Sequence, residues 1–207
     1  MKIILLGAPG SGKGTQAELI KKKLNLHHIS TGELIRKELD SNQEIKKIVK
    51  KGKLLDDEII LKFIEKNIKK INDILFDGFP RTLNQAISLT KKNIKIDYII
   101  QIEIDEKNII KRLKYRLTNK NKNYNIINIK QKIKNKDDLT GENLKKRNDD
   151  KIKIIKKRLL DHNTNTTEIL NWYTNINTHL IKINGNNNVD DIFEKIINNI
   201  KFYEKNI

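Results

Sequence analysis

Residues 7–15 read GAPGSGKGT, and no other stretch constrains the fold of this chain as tightly. Four of the nine glycines fall here. The strand-like run KIILL (2–6) precedes the loop, and Ala17, Ile20 and Leu24 follow it at helical spacing. Gly7, Gly10 and Gly12 let the backbone curl so that successive N–H groups face inward. Such a nest at a helix N-terminus holds phosphate. Lys13 adds a mobile point charge for β and γ phosphates. A plain glycine turn that happens to contain a lysine is the bland alternative, and the strand–loop–helix context argues against it.

Further strand-like runs at LHHI (26–29), DILF (73–76), DYIIQIEI (97–104) and HLIKI (179–183) alternate with helical patterns. That alternation predicts an α/β fold, a parallel sheet with helices on both faces. The longest helix is expected over 151–174, where Ile152, Ile155, Leu159, His162, Thr166, Ile169 and Tyr173 step by three and four. His162 reads as a helix-face residue rather than a ligand. Two segments break the alternation and read as insertions. Residues 30–55 carry two short helical patterns, and residues 115–150 begin polar, with Tyr124, Ile126, Ile129 and Ile133 spaced for a small hairpin and disorder as the alternative.

Charge is distributed unevenly by type. The chain has 43 Lys and Arg against 26 Asp and Glu, a net charge of +17. Only six of the cations are arginines: 36, 81, 112, 116, 147 and 158. A site that needs only a cation is satisfied by Lys, whereas gripping two phosphate oxygens at once calls for the planar guanidinium fork. Arg36 follows STGE and Arg81 sits in DGFPRT; the other four lie inside or beside 115–150. The arginines therefore read as phosphate ligands. The lysine surplus is spread along an Ile/Asn/Lys-rich chain without an RNP-like aromatic cluster or zinc knuckle, so it reads as composition rather than nucleic-acid binding. Cysteine is absent, which excludes disulfides and thiolate zinc sites. The opening apolar run is too short for a leader or span, and none later approaches ~18 apolar residues. A cytoplasmic protein away from membranes is expected.

In order along the chain, GAPGSGKGT, STGELIR (30–36), GKLLDD (52–57), DGFPRTLNQA (77–86), KDDLTGENLKKRNDD (136–150) and KKRLLDH (156–162) resemble the motifs of adenylate kinases. The resemblance runs from Met1 to about Gly185 and is similar to the long-lid bacterial type. Gly14 follows Lys13 and delays the hydroxyl to Thr15; G-x-P-G-x-G-K-G-T is the spelling of nucleoside monophosphate kinases. The resemblance implies a P-loop NTPase-type core of five parallel strands (1–29, 56–114 and 151–207). It also implies two mobile lobes, an AMP lobe at 30–55 and a lid at 115–150.

The resemblance also implies roles for residues. Arg36 and Arg81 clamp the AMP phosphate, Arg112 and Arg116 stand on the ATP side, and Arg147 and Arg158 close over the transferred phosphoryl group. The ATP contacts are Gly10, Ser11, Gly12, Lys13, Gly14, Thr15, Arg112, Arg116 and Asn187. The AMP contacts are Thr31, Arg36, Lys53, Leu54, Leu55, Gly78, Phe79, Pro80, Arg81, Gln85, Arg147 and Arg158, with Gly52 contributing backbone. Lys13, Arg81, Arg116, Arg147 and Arg158 form the catalytic set. Mg²⁺ comes with ATP and is held through water by Asp77 and Glu33; zinc is not expected. By residue type alone, Ser30–Glu33 is equally an ordinary capping box and Gln85 an ordinary surface amide.

The implied reaction is ATP + AMP ⇌ 2 ADP by a monomer. A CMP, UMP or GMP acceptor fits Thr31, Thr82 and Gln85 less well. GTP as donor stays open, because the donor base is held largely by backbone. A basic P-loop ATPase bound to nucleic acid is the rival from another class. In the lid, Asn and Lys around 118–123 stand where zinc-free relatives carry His and Ser, while Asp137, Asp138 and Thr140 remain. A lid of low local stability is expected.

Overall fold

The computed structural model describes residues 1–38, 42–51, 53–68, 71–119, 123–124, 132–147 and 149–205. The chain opens with β1 (Lys2–Gly7), α1 (Lys13–Leu24) and β2 (His27–Ser30). Three helices follow, α2 (Thr31–Glu38), α3 (Gln43–Lys50) and α4 (Asp57–Ile68), before β3 (Ile74–Asp77). Then come α5 (Leu83–Lys91), β4 (Tyr98–Glu103), α6 (Glu106–Lys114) and the two-residue strands β5 (Leu117–Thr118) and β6 (Asn123–Tyr124). The chain ends with α7 (Ile152–Asn175), β7 (His179–Asn184) and α8 (Val189–Lys205).

Five strands form one parallel sheet in the order β2-β3-β1-β4-β7. Alternation along the strands sends side chains to opposite faces. Ile4, Leu6, Ile74, Phe76 and Ile99 join one core cluster; Ile3, Leu5, Leu75, Ile100 and Ile102 join the other. α5 and α7 cover the first face, where Ala86, Leu89, Ile169 and Tyr173 are buried, and α1 and α8 cover the second through Ala17, Ile20, Ile192 and Ile196. The chain leaves β1 for β2, steps back to β3, then crosses β1 to reach β4. In open α/β sheets such a turning point leaves a crevice outside the carboxyl ends of the strands, where ligands bind. Here those ends are Gly7 of β1 and Asp77 of β3.

The five expected strands are present, displaced by a residue or so at their ends, as is the long helix. Ile152, expected on its inner stripe, is 54% exposed because it stands at the helix's first position. Of the four residues of the expected hairpin, Tyr124 and Ile133 are among those described. Tyr124 pairs back with Leu117, and Ile133 is 65% exposed rather than facing a partner strand. Ile126, Ile129 and Gly52 lie outside the described residues. Isolated bridges join Thr118 to Lys145 and Lys136 to Asn143. Among the described residues no helix is long and apolar enough to cross a membrane.

Candidate active site

At the carboxyl end of β1 the loop turns into α1 with Gly12 as the N-cap residue. Its φ of 101° is left-handed backbone that glycine adopts without penalty. The cap has no side-chain hydrogen bond, so the first amides of α1 are left for a ligand. Lys13, the first residue of the helix, folds back and donates from Nζ to the Gly7 carbonyl and, at 2.9 Å, to the Ala8 carbonyl. Burial pushes its ammonium down to about 8. Asp77 opposes that shift, while Arg81, Arg158 and Arg116 add to it.

Two cavities meet at this loop. The smaller, about 200 Å³, is walled by Gly10 through Thr15, by Asn187, and by Arg36, Arg81, Arg112, Arg116, Arg147 and Arg158. All six arginines of the chain therefore line one cavity. The larger, about 410 Å³, lies over Thr31, Lys53, Leu54, Leu55, Gly78, Pro80 and Gln85. Lys13, Gly32, Arg36, Arg81, Arg147 and Arg158 belong to both walls. Every residue expected at the donor nucleotide thus lines the smaller cavity. Among the described residues, every one expected at the acceptor lines the larger except Phe79, whose fully buried ring packs against Phe76 at 5.8 Å.

Asp77 ends β3, and Gly78 after it has a φ of 74°. A Cβ there would come within 2.9 Å of Arg81 Nη2 and 3.0 Å of Thr31 Oγ1, so any side chain would strain the backbone and press on both partners. The Gly78 carbonyl accepts from Thr31 Oγ1 at 2.7 Å and from Arg81 Nε at 2.8 Å. That aims the Arg81 fork, on the turn that Pro80 enters. Arg36 sits one helical turn beyond Thr31–Gly32 on α2.

The arginines crowd one another. Burial, then Arg158, push Arg81 down to about 10, against the pull of Asp77. Burial, then Arg116 and Arg36, push Arg147 down to about 9. Burial also lowers Arg36 and Arg112. Carboxylates hold several of the forks in place. Arg116 binds Asp150 through Nε at 2.8 Å and through Nη2, and Arg158 Nη1 binds Asp149 at 2.6 Å. Arg147 donates to Asn123 Oδ1 at 2.6 Å, and Arg112 reaches the Ser11 carbonyl at 3.3 Å and the Gly185 carbonyl at 2.8 Å. Burial would raise Asp149; Arg158, Arg116 and Arg147 outweigh it and hold the carboxyl below its ordinary value. A concave wall of like charges under solvent restriction is matched by a ligand carrying several negative charges.

Asp77 and Glu33 line the smaller cavity together. Burial would raise Asp77, but His28, Lys13 and Arg81 hold it below the usual carboxylate range. His28 Nε2 lies 3.5 Å from Asp77 Oδ2, an ion-pair distance rather than a tight hydrogen bond. One buried ionised carboxylate beside a phosphate nest suits a hard cation that keeps most of its water and takes its other ligands from phosphate.

Four contributors escaped the sequence reading: Asp149 and Asp150, which steady Arg158 and Arg116; His28, set against Asp77; and Asp57, bonded to Gln85. The RNDD run at 147–150 carried a signal for the first two, since acids beside rare arginines predict pairing. Nothing in the sequence joins His28 to Asp77. His162, expected as a plain helix-face residue, lines the larger cavity, and burial pushes it down to about 4, so it is neutral.

The adenylate kinase family model matches residues 5–178. The chain is similar to the adenylate kinase of Buchnera aphidicola subsp. Cinara cedri, with 45% identity over 210 residues covering 97% of each chain. It is 38% identical over 216 residues to that of Francisella philomiragia, covering 97% of this chain and all of the relative. The adenylate kinase of Francisella tularensis subsp. novicida is 39% identical over 215 residues, covering 97% and 99%.

Proposed function

The chain belongs to the adenylate kinase family and is a phosphotransferase whose reaction is ATP + AMP ⇌ 2 ADP, and from that premise we propose how its residues divide the work. ATP lies in the smaller cavity, with its β and γ phosphates on the amides of Gly10–Thr15 and on Lys13. Arg112, Arg116 and Asn187 complete the donor site. AMP lies in the larger cavity over Thr31, Lys53, Leu54, Leu55, Gly78, Phe79, Pro80 and Gln85, with its phosphate against Arg36 and Arg81. An oxygen of the AMP phosphate attacks the γ phosphorus. A new P–O bond forms as the bond from the γ phosphorus to the β–γ bridging oxygen breaks, and ADP leaves as an anion. The attacking phosphate is already ionised, so no general base is needed.

Charge spreads over the transferred group in this loose transition state. Lys13, Arg81, Arg116, Arg147 and Arg158 neutralise it from fixed positions. Mg²⁺ arriving with ATP would be held through water by Asp77 and Glu33, where it offsets phosphate charge. No zinc enters the scheme, and the chain offers no cysteine for a thiolate zinc site. Core residues 1–29, 56–114 and 151–207 carry an AMP lobe at 30–55 and a lid at 115–150, which close together over the nucleotides and exclude water. The donor and acceptor residues all lie in one chain, which supports a monomer, and the cysteine-free composition supports the cytoplasm.

One observation carries this reading: every arginine lines a single cavity, and Lys13 stands where that cavity joins the second. The test supplies Mg·ATP with AMP, CMP, UMP and GMP in turn and measures nucleoside diphosphate formed. Rapid turnover with AMP alone is expected. Hydrolysis of ATP without any acceptor, at a similar rate, would refute it.

A further inference from the structure

We infer that Asp57 sets the base specificity of the acceptor site by holding the Gln85 amide one way round. The pocket then takes a 6-amino purine and turns away a 6-oxo purine. The inference rests on reading the larger cavity as the AMP site.

Asp57 is the first residue of α4, and Gln85 the third of α5. Asp57 Oδ1 accepts from Gln85 Nε2 at 2.7 Å, and Oδ2 accepts from Thr82 Oγ1 at 2.9 Å. Gln85 Oε1 accepts from the Arg81 backbone N–H at 2.7 Å, and Thr82 Oγ1 accepts from the Gln85 N–H at 3.2 Å. The Thr82–Gln85 exchange alone is an ordinary helix start. A carboxylate brought in from a different helix is not part of such a start and asks for its own explanation.

Gln85 is 2% exposed yet stands in the wall of the larger cavity. A carboxylate only accepts and a backbone N–H only donates, so both neighbours demand the same orientation. Turning the amide over would set N–H against N–H at Arg81 and a lone pair against the Asp57 carboxylate. A side-chain amide has two donor and two acceptor positions. With one of each used, one N–H and one lone pair remain for a ligand, in fixed order. Adenine offers an amino donor at position 6 beside an acceptor at N1. A 6-oxo purine offers the reverse, an acceptor beside an N1–H donor. An amide that could rotate would read both; this one reads one. The Arg81 half of the lock is backbone, so Asp57 is the half that a substitution can remove.

The test compares AMP with inosine monophosphate, whose base differs in bearing the 6-oxo group and the N1–H. With Mg·ATP as donor, kcat/KM is measured for both acceptors in the wild type, Asp57→Asn and Asp57→Ser. Either substitute can donate as well as accept, so only the Arg81 half of the lock still holds the Gln85 amide. The AMP-to-IMP preference should fall about tenfold, the scale of one bidentate base contact. It should fall mainly through KM for each acceptor, with little change in kcat for AMP. Fluorescence of Trp172, the one tryptophan, and thermal melting report folding, and the serine variant serves if the asparagine variant fails to fold. A proportional loss for both acceptors, with the preference intact, would overturn the inference and leave Asp57 a structural link. Gln85→Leu separates the two levels. If it too leaves the preference intact, the AMP-site reading of Gln85 has failed; if it abolishes the preference while the Asp57 variants keep it, only the role given to Asp57 has failed.

Discussion

Arg81 and Thr31 both grip the carbonyl of Gly78, so a turn neighbour and a residue 47 positions away together fix one guanidinium. Replacing Gly78 by Ala forces a side chain into left-handed backbone and against both partners. We expect a stability loss of about 1–2 kcal/mol from the backbone and a KM for AMP raised roughly tenfold by the displaced fork, readable by thermal melts and steady-state kinetics. Arg81→Lys keeps the charge and loses the planar pair of donors; kcat/KM for AMP should fall about 10²-fold, the scale of one lost transition-state donor. Lys13 makes a pH prediction. Its folded value of about 8 lies below the ordinary 10.5, so between these values the unfolded chain binds the extra proton. The Lys13 contribution to stability of the empty enzyme therefore rises with pH across that window. Nucleotide binding runs the other way. Phosphate favours the ammonium, so ATP affinity should weaken as pH climbs past about 8, measurable by titration calorimetry. At this scale the sequence was eloquent about arginine and glycine, whose special chemistry survives without neighbours. It was silent about Asp57 and His28, ordinary residues that matter only through what the fold sets beside them.

Among the elements, the described residues around β5 and β6 are tied together by a polar knot. Tyr124 is buried, its hydroxyl donates to Asp137 Oδ2 at 3.1 Å, and it accepts from the Asp138 N–H at 2.9 Å. Asp137 also accepts from the Leu139 and Thr140 amides and from the Thr140 hydroxyl, and those bonds, the Thr140 amide foremost, hold its carboxyl below the ordinary range. Tyr124→Phe strands the Asp138 amide and one Asp137 oxygen. Local opening should become about tenfold more frequent, consistent with one lost buried hydrogen bond. Hydrogen exchange at 137–144 would speed up while the global melting temperature stays within about 2 °C. Exchange unchanged at those amides would mean that the knot does not hold the segment. Sequence periodicity located the long helix and the core strands because a sheet covered on both faces forces apolar runs. It said nothing of which strand Tyr124 pairs with, because a short polar pair leaves too few apolar positions to fix register. Tyr124 pairs there with Leu117.

At the scale of the molecule, the turning point of strand order gathers the loop after β1, the turn after β3 and the cations of the two insertions around one crevice. Burial and mutual repulsion lower Arg81 and Arg147 within that crevice. If the insertions move as separate lobes, an analogue with two adenosines joined by a polyphosphate should draw them inward. Small-angle scattering would then show a radius of gyration below that of the free chain, for which roughly 17 Å is typical of a compact chain of this length. An unchanged radius would mean that the site is already assembled before ligand arrives.

An AGA or AGG arginine codon is one G-to-A change from a lysine codon. The six arginines share one cavity, so any gene using those codons would place each of its vulnerable single-base transitions at the same catalytic pocket. A drift that leaves the net charge of the molecule untouched would there exchange planar forks for point charges, all in one cavity.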